Sequence, residues 1–138
     1  MKILEIDIKG FGKFHDRHIE FNDKLNVIYG YNETGKSTMH TFIRAMFYGL
    51  ERARGRAGRH DTWSRYEPWD IEIPYAGVMR VWHDGEVYRI ERNFSKNASV
   101  PLSVVNETRG LVVESPKAFL NELMCGLTET AYINTVSI

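Results

Sequence analysis

An α/β fold is predicted by three features of the sequence: an alternating apolar and charged opening, an apolar run entering a glycine loop, and an amphipathic helix just after it. In the opening, Leu4, Ile6 and Ile8 alternate with Glu5, Asp7 and Lys9, the period of a half-buried strand, before Gly10-Phe11-Gly12 breaks the pattern. A second strand is expected over residues 15–21. Asn22-Asp23 then turn the chain into Leu25-Asn26-Val27-Ile28-Tyr29, which reads as a buried central strand. Beyond Gly35-Lys36-Ser37, the residues Met39, Phe42, Ile43, Met46, Phe47 and Leu50 recur on one face of a helix, with Gly49 near its end.

From residue 51 the periodicity gives way to Arg-Ala-Arg-Gly-Arg-Ala-Gly-Arg-His, and a basic mobile loop is expected over residues 51–75. Residues 76–114 read as antiparallel β hairpins. Asp84-Gly85 has the left-handed preference of a type I′ turn, and a second hairpin turns through residues 106–110. Ser115-Pro116 is an N-cap followed by proline at the first helical position. Phe119, Leu120, Leu123 and Met124 form the stripe of that helix, and Gly126 can end it. The last residues, Asn134-Thr135-Val136-Ser137-Ile138, are β-like with no closing turn, as if the chain were cut there.

The chain has 138 residues, 43% of them hydrophobic, enough for one domain with a core of its own. Its 18 Lys and Arg balance 18 Asp and Glu, so no global charge draws it to nucleic acid or an anionic membrane. The single cysteine, Cys125, excludes an internal disulfide framework and reads as a buried structural thiol. Acids interrupt the N-terminus too early for a signal peptide, and no run of membrane-spanning length follows. A soluble cytoplasmic protein without a membrane partner is expected.

The residues that carry chemistry are Gly30-Tyr31-Asn32-Glu33-Thr34-Gly35-Lys36-Ser37, which match G-x-x-x-x-G-K-[ST] at every fixed position. The pattern arises by chance roughly once in a few hundred chains of this size. Here it also follows an apolar strand and opens a helix, the context it requires. The glycines let backbone N–H groups converge on one concavity, and the helix N-terminus adds partial positive charge, so a polyphosphate is the natural guest. Lys36 can reach the β- and γ-phosphate oxygens, Ser37 can ligate the bridging magnesium, and Thr38 can hydrogen-bond the α-phosphate. Asp7-Ile8-Lys9-Gly10 spells Asp-x-x-Gly but precedes the loop, and no Asn-Lys-x-Asp follows it, so ATP is favoured over GTP.

The loop's Gly-x-Asn-Glu-x-Gly-Lys-Ser-Thr form resembles that of the RecF, RecN, SMC and YhaN-type ATPases, an ABC-type group of chromosome and DNA-repair proteins. Gly10-Phe11-Gly12-Lys13-Phe14 and Ile19-Glu20-Phe21 are similar to that group's opening strand pair. Arg65-Tyr66-Glu67-Pro68-Trp69 and Tyr88-Arg89-Ile90-Glu91-Arg92 look closest to the YhaN-like branch. The resemblance implies a P-loop NTPase fold, an ABC-ATPase-like N-terminal lobe with a mixed sheet and an antiparallel β subdomain. Residues 1–138 would then be one incomplete head lobe. Residues 1–50 would form the strand pair, loop and first helix, and residues 115–138 a helical segment leading into the Q-loop strand. Gly30, Asn32, Glu33, Thr34, Gly35, Lys36, Ser37 and Thr38 would contact nucleotide, with Asn32 near the γ-phosphate. Members often carry a basic residue where Gly12 stands, and Lys13 is the candidate to replace it.

The resemblance also implies a head completed by a C-terminal half and two heads that dimerise on ATP to clamp DNA. No Walker B run, signature motif or Q-loop glutamine occurs in these residues, so no catalytic residue is expected in this segment, and hydrolysis would await the other half. Arg54, Arg56 and Arg59 are candidate DNA-backbone contacts, against the reading of a solvated loop. The five histidines lack close metal-ligand spacing and carboxylate company in sequence, so no metal beyond magnesium is expected. Trp63, Trp69 and Trp82 read as packing anchors, with base stacking as the alternative. The competing functional class is a nucleotide-gated protein-interaction module with no DNA role or hydrolysis; a small-molecule kinase lacks an acceptor or lid signature.

Overall fold

The computed structural model describes residues 2–21, 33–50 and 62–124, and of residues 33–37, 62 and 64 the backbone alone. Within them the protein is α/β. The elements are β1 (Lys2–Phe11), β2 (Phe14–Glu20), α1 (Glu33–Tyr48), α2 (Thr62–Tyr66), β3 (Ala76–His83), β4 (Glu86–Asn93), β5 (Leu102–Asn106), β6 (Leu111–Val112) and α3 (Pro116–Leu123). The strands form one six-stranded sheet in the order β2-β1-β3-β4-β5-β6, and every pairing among the described residues is antiparallel. The hairpins of residues 76–114 therefore continue the sheet of the opening strand pair through β1 and β3. The strand expected over residues 25–29 lies outside the described residues.

One apolar row crosses five strands: Ile19 opposite Ile6, Ile6 opposite Met79, Met79 opposite Ile90, and Ile90 opposite Val104. Directly opposed residues of antiparallel strands share a face, so this row gives α1 a continuous surface to cover. The helix meets it with Met39, Phe42, Ile43, Met46 and Phe47 of the expected stripe, all of them buried, while Leu50, also expected there, is half-buried past the end of α1. Gly77 sits in this face because a side chain has no room. A Cβ there would lie 2.3 Å from the ring of Phe42, which is itself fully buried and cannot swing away. Gly77→Ala is accordingly expected to lower stability by about 1–3 kcal/mol, the usual cost of overpacking, despite the better strand propensity of alanine. Urea denaturation measures it; an unchanged midpoint would contradict the close approach.

Other departures from the expected elements have local causes. β1 runs through Gly10 to Phe11, with a register shift between Ile8 and Gly10 in place of the expected end. Asp84 and Gly85 have φ of 50° and 80°, as a type I′ turn requires. α3 begins at Pro116 as expected, but the Ser115 hydroxyl makes no capping bond. The second half of the expected loop is ordered differently: α2 lies at Thr62–Tyr66, and Trp63 is in the core. The Trp63 indole N–H donates to the Phe94 carbonyl at 2.7 Å, and the Tyr75 hydroxyl donates to the Trp63 carbonyl at 2.9 Å. Both polar tips are thus satisfied inside an aromatic cluster, which is what lets this short helix dock. Residues 51–61, Cys125 and Gly126 lie outside the described residues.

Arg92 of β4 ties the sheet to the end of α1. Its guanidinium donates to the Met46 carbonyl at 2.9 Å and the Phe47 carbonyl at 3.2 Å, two acceptors that the helix itself leaves free. Burial brings its pKa down to about 10, so it stays charged at neutral pH and complements the helix C-terminus.

Candidate functional site

The turn between β1 and β2 meets the N-terminal part of α1. Gly12 takes φ +59°, and its N–H donates to the Tyr66 carbonyl at 2.7 Å. A Cβ on Gly12 would stand 3.0 Å from the Tyr66 ring and 3.2 Å from the Thr38 methyl. A larger residue there is opposed twice, by the left-handed backbone and by two neighbours. Glycine is the residue that fits this position.

Lys13, the next residue, is exposed and lines a cleft of about 780 Å³ shared with Gly12, His15, Thr38, Tyr66 and Trp69. The volume falls within the usual range for small-ligand pockets. Thr38 is buried, 5% exposed, in the second turn of α1, so the cleft borders the N-terminal half of that helix. The structure thus brings two expected site residues, Lys13 and Thr38, to one cleft. For Glu33, Thr34, Gly35, Lys36 and Ser37 it gives the helical backbone of α1. Gly30, Asn32, Arg54, Arg56 and Arg59 lie outside the described residues.

The tryptophans divide. Trp63 is a core residue, whereas Trp69 is fully exposed and Trp82 is 40% exposed with the Lys2 ammonium 5.9 Å from its ring, so the packing expectation holds for Trp63 and is corrected for Trp69.

The outer face of the sheet carries a polar cluster that no spacing in the sequence announces. Pairing of β1 with β2 puts His18 opposite Asp7 and Glu20 opposite Glu5, so the expectation that the histidines lack carboxylate company is corrected at His18. Asp7 Oδ1 lies 2.6 Å from His18 Nδ1, and Glu20 and Glu5 lie 3.4 and 3.6 Å from Nε2. The ligand atoms of Glu5, His18 and Glu20 are close enough together to reach one cation. Arg80 already engages Glu5 at 2.7 Å and Glu107 at 2.6 Å, however, and the carboxylates favour a proton on the imidazole. The hydrogen bond to Asp7, then that to Glu20, raises the His18 pKa above its ordinary 6.5. The arrangement is an ion-pair network.

Because the folded pKa is the higher one, the network's contribution to stability is complete below pH 6.5 and is lost as pH rises through the folded value. NMR titration of His18 is expected to show a midpoint above 6.5, and His18→Gln to remove that part of the pH dependence of unfolding. A midpoint at or below 6.5 would contradict the pairing.

Comparison with known proteins gives the chain a family. A family model described as "AAA domain" matches residues 5–130. A protein of Bacillus subtilis (strain 168), described as "Uncharacterized protein YhaN", is 34% identical over 109 residues, 78% of this chain and 10% of that protein. "Structural maintenance of chromosomes protein 6A" of Arabidopsis thaliana is 30% identical over 129 residues, 89% of this chain and 12% of that protein. The chain thus spans about a tenth of the length of the curated relatives it matches. With a family match that takes in the opening strands, the glycine loop, α1 and the hairpins, the chain belongs to the AAA-domain family, as an SMC/YhaN-like ATPase region.

Proposed function

We propose that the chain binds ATP with magnesium through residues 30–38 and forms the N-terminal part of an SMC/RecF-like ATPase head. The observation that carries this is the complete Gly30 to Ser37 motif running into α1, with Thr38 beside a cleft of nucleotide size. Backbone N–H groups of the loop and the start of α1 hold the phosphates. Lys36 neutralises the β- and γ-phosphate oxygens, Ser37 ligates magnesium, Thr38 serves the α-phosphate, and Asn32 the γ-phosphate. Lys13 supplies the positive charge that Gly12 has no room to carry. Magnesium, when bound, screens the phosphate charge and orders it.

In this reading ATP acts as a switch: two heads, each completed by a C-terminal half, dimerise around nucleotide and clamp DNA. Arg54, Arg56 and Arg59 are the proposed DNA contacts, salt-sensitive and blind to sequence. The outer face of the sheet carries Glu5, Asp7 and Glu20 and does not favour a polyanion. Among the described residues no helix is long and apolar enough to cross a membrane, which suits a cytoplasmic setting.

Titration calorimetry of the chain with ATP is the test. Saturable binding with magnesium, and clear loss of affinity when the metal is chelated, are expected. No binding in either condition overturns the assignment.

A further inference from the structure

Tryptophan is among the costliest side chains to leave in water, and where one is fully exposed it most often serves a partner. Trp69 is 100% exposed, yet the backbone that presents it is held on both sides. Before it, the Tyr66 carbonyl accepts the Gly12 N–H at 2.7 Å, and the Tyr66 ring stacks on Phe11 with centroids 4.9 Å apart and planes 17° apart. Pro68 packs over Gly10, its Cγ 3.2 Å from where a Cβ would stand. After it, Asp70 accepts the Ile73 N–H on its carbonyl at 3.0 Å and the Glu72 N–H on its carboxylate at 2.9 Å. An anchored strap with a free indole is pre-organised for contact, because little backbone entropy remains to be lost.

Trp69 lines the same cleft as Thr38 and Lys13. We infer that Trp69 stacks on the base of the bound nucleoside triphosphate. This rests on the phosphate-loop reading. On that reading the α-phosphate is served by Thr38, and the cleft that Thr38 shares with Trp69 is the space beside it for ribose and base. Pro68, Phe14 and Ile73 make its lining apolar enough to shed water from a base, while Lys13 stays with the phosphates. Stacking on an aromatic face tolerates any base, so Trp69 adds affinity for purine nucleotides without choosing between adenine and guanine.

Calorimetry with magnesium and three probes, ATP, GTP and inorganic tripolyphosphate, tests this on the chain and on Trp69→Ala and Trp69→Phe. Trp69→Ala is expected to weaken ATP and GTP roughly tenfold each, the scale of one lost stacking contact, while tripolyphosphate affinity stays as it was. Trp69→Phe keeps most of the nucleotide affinity but loses the tryptophan fluorescence quenching that ATP produces, although Trp63 and Trp82 remain. Unchanged ATP affinity in Trp69→Ala overturns the stacking role and leaves the phosphate loop intact. Equal losses for ATP and tripolyphosphate also overturn it, since the effect is then not on the base. Failure of the unsubstituted chain to bind either ATP or tripolyphosphate overturns both readings.

Discussion

Phosphate release from ATP by this chain is expected to run at least about a hundredfold below that of the same chain joined to a segment carrying a Walker B acid and a signature motif. On the proposed reading the loop holds phosphates and metal. Transfer to water also needs a carboxylate to complete the metal site, a positioned nucleophile, and charge stabilisation around the γ-phosphate as it leaves. Neither Glu33 nor Glu72 directly follows an apolar strand, and Glu114 follows only the two-residue exposed edge strand β6. Among the described residues, Glu72 is exposed in a turn and Glu114 is exposed just before α3, so neither is held for that role. Removing a single transition-state donor typically costs a factor of about 10²–10³, and here several groups are wanting together. Steady-state phosphate release from the chain, with and without a co-expressed completing segment, measures the difference. Lys36-dependent turnover by the chain alone, equal to that of the joined pair, would overturn the half-site reading.

Lys36→Ala is expected to weaken magnesium-dependent ATP binding at least tenfold. A hydrogen bond to a charged group is worth about 1.5–3 kcal/mol, and tenfold corresponds to about 1.4 kcal/mol, so even the low end of that range reaches the stated loss. Alanine is the best helix former and Lys36 lies in the first turn of α1, so the fold should survive the substitution. Calorimetry gives the affinity, and the urea midpoint gives the control. Equal affinity at equal stability would remove Lys36 from the site and with it the loop assignment.

Legibility of the fold tracked how local each decision was. The Asp84-Gly85 hairpin, the apolar stripe of α1 and the proline start of α3 rest on residues within a few positions of one another, and each was readable. The proposed phosphate loop rests on equally local information, since its motif is eight consecutive residues. The burial of Trp63 was not, because the carbonyl that satisfies its indole belongs to Phe94, 31 residues away.

By itself, then, the sequence determined the α/β class, the Asp84-Gly85 hairpin, the stripe of α1 and the start of α3, because turn chemistry and hydrophobic period act over a few residues. Only the tertiary structure decided what those elements do to one another. Pairing of β1 with β3 joins residues 66 to 80 positions apart, and among many strands with similar alternation the burial of the shared row Ile6, Met79, Ile90 and Val104 selects the partners. That pairing turns Glu5 toward Arg80, and the β1–β2 hairpin gathers carboxylates around His18. The exposure of Trp69 is likewise a tertiary outcome: Tyr66 and Pro68 take the places against Phe11 and Gly10, and the next side chain is left in solvent.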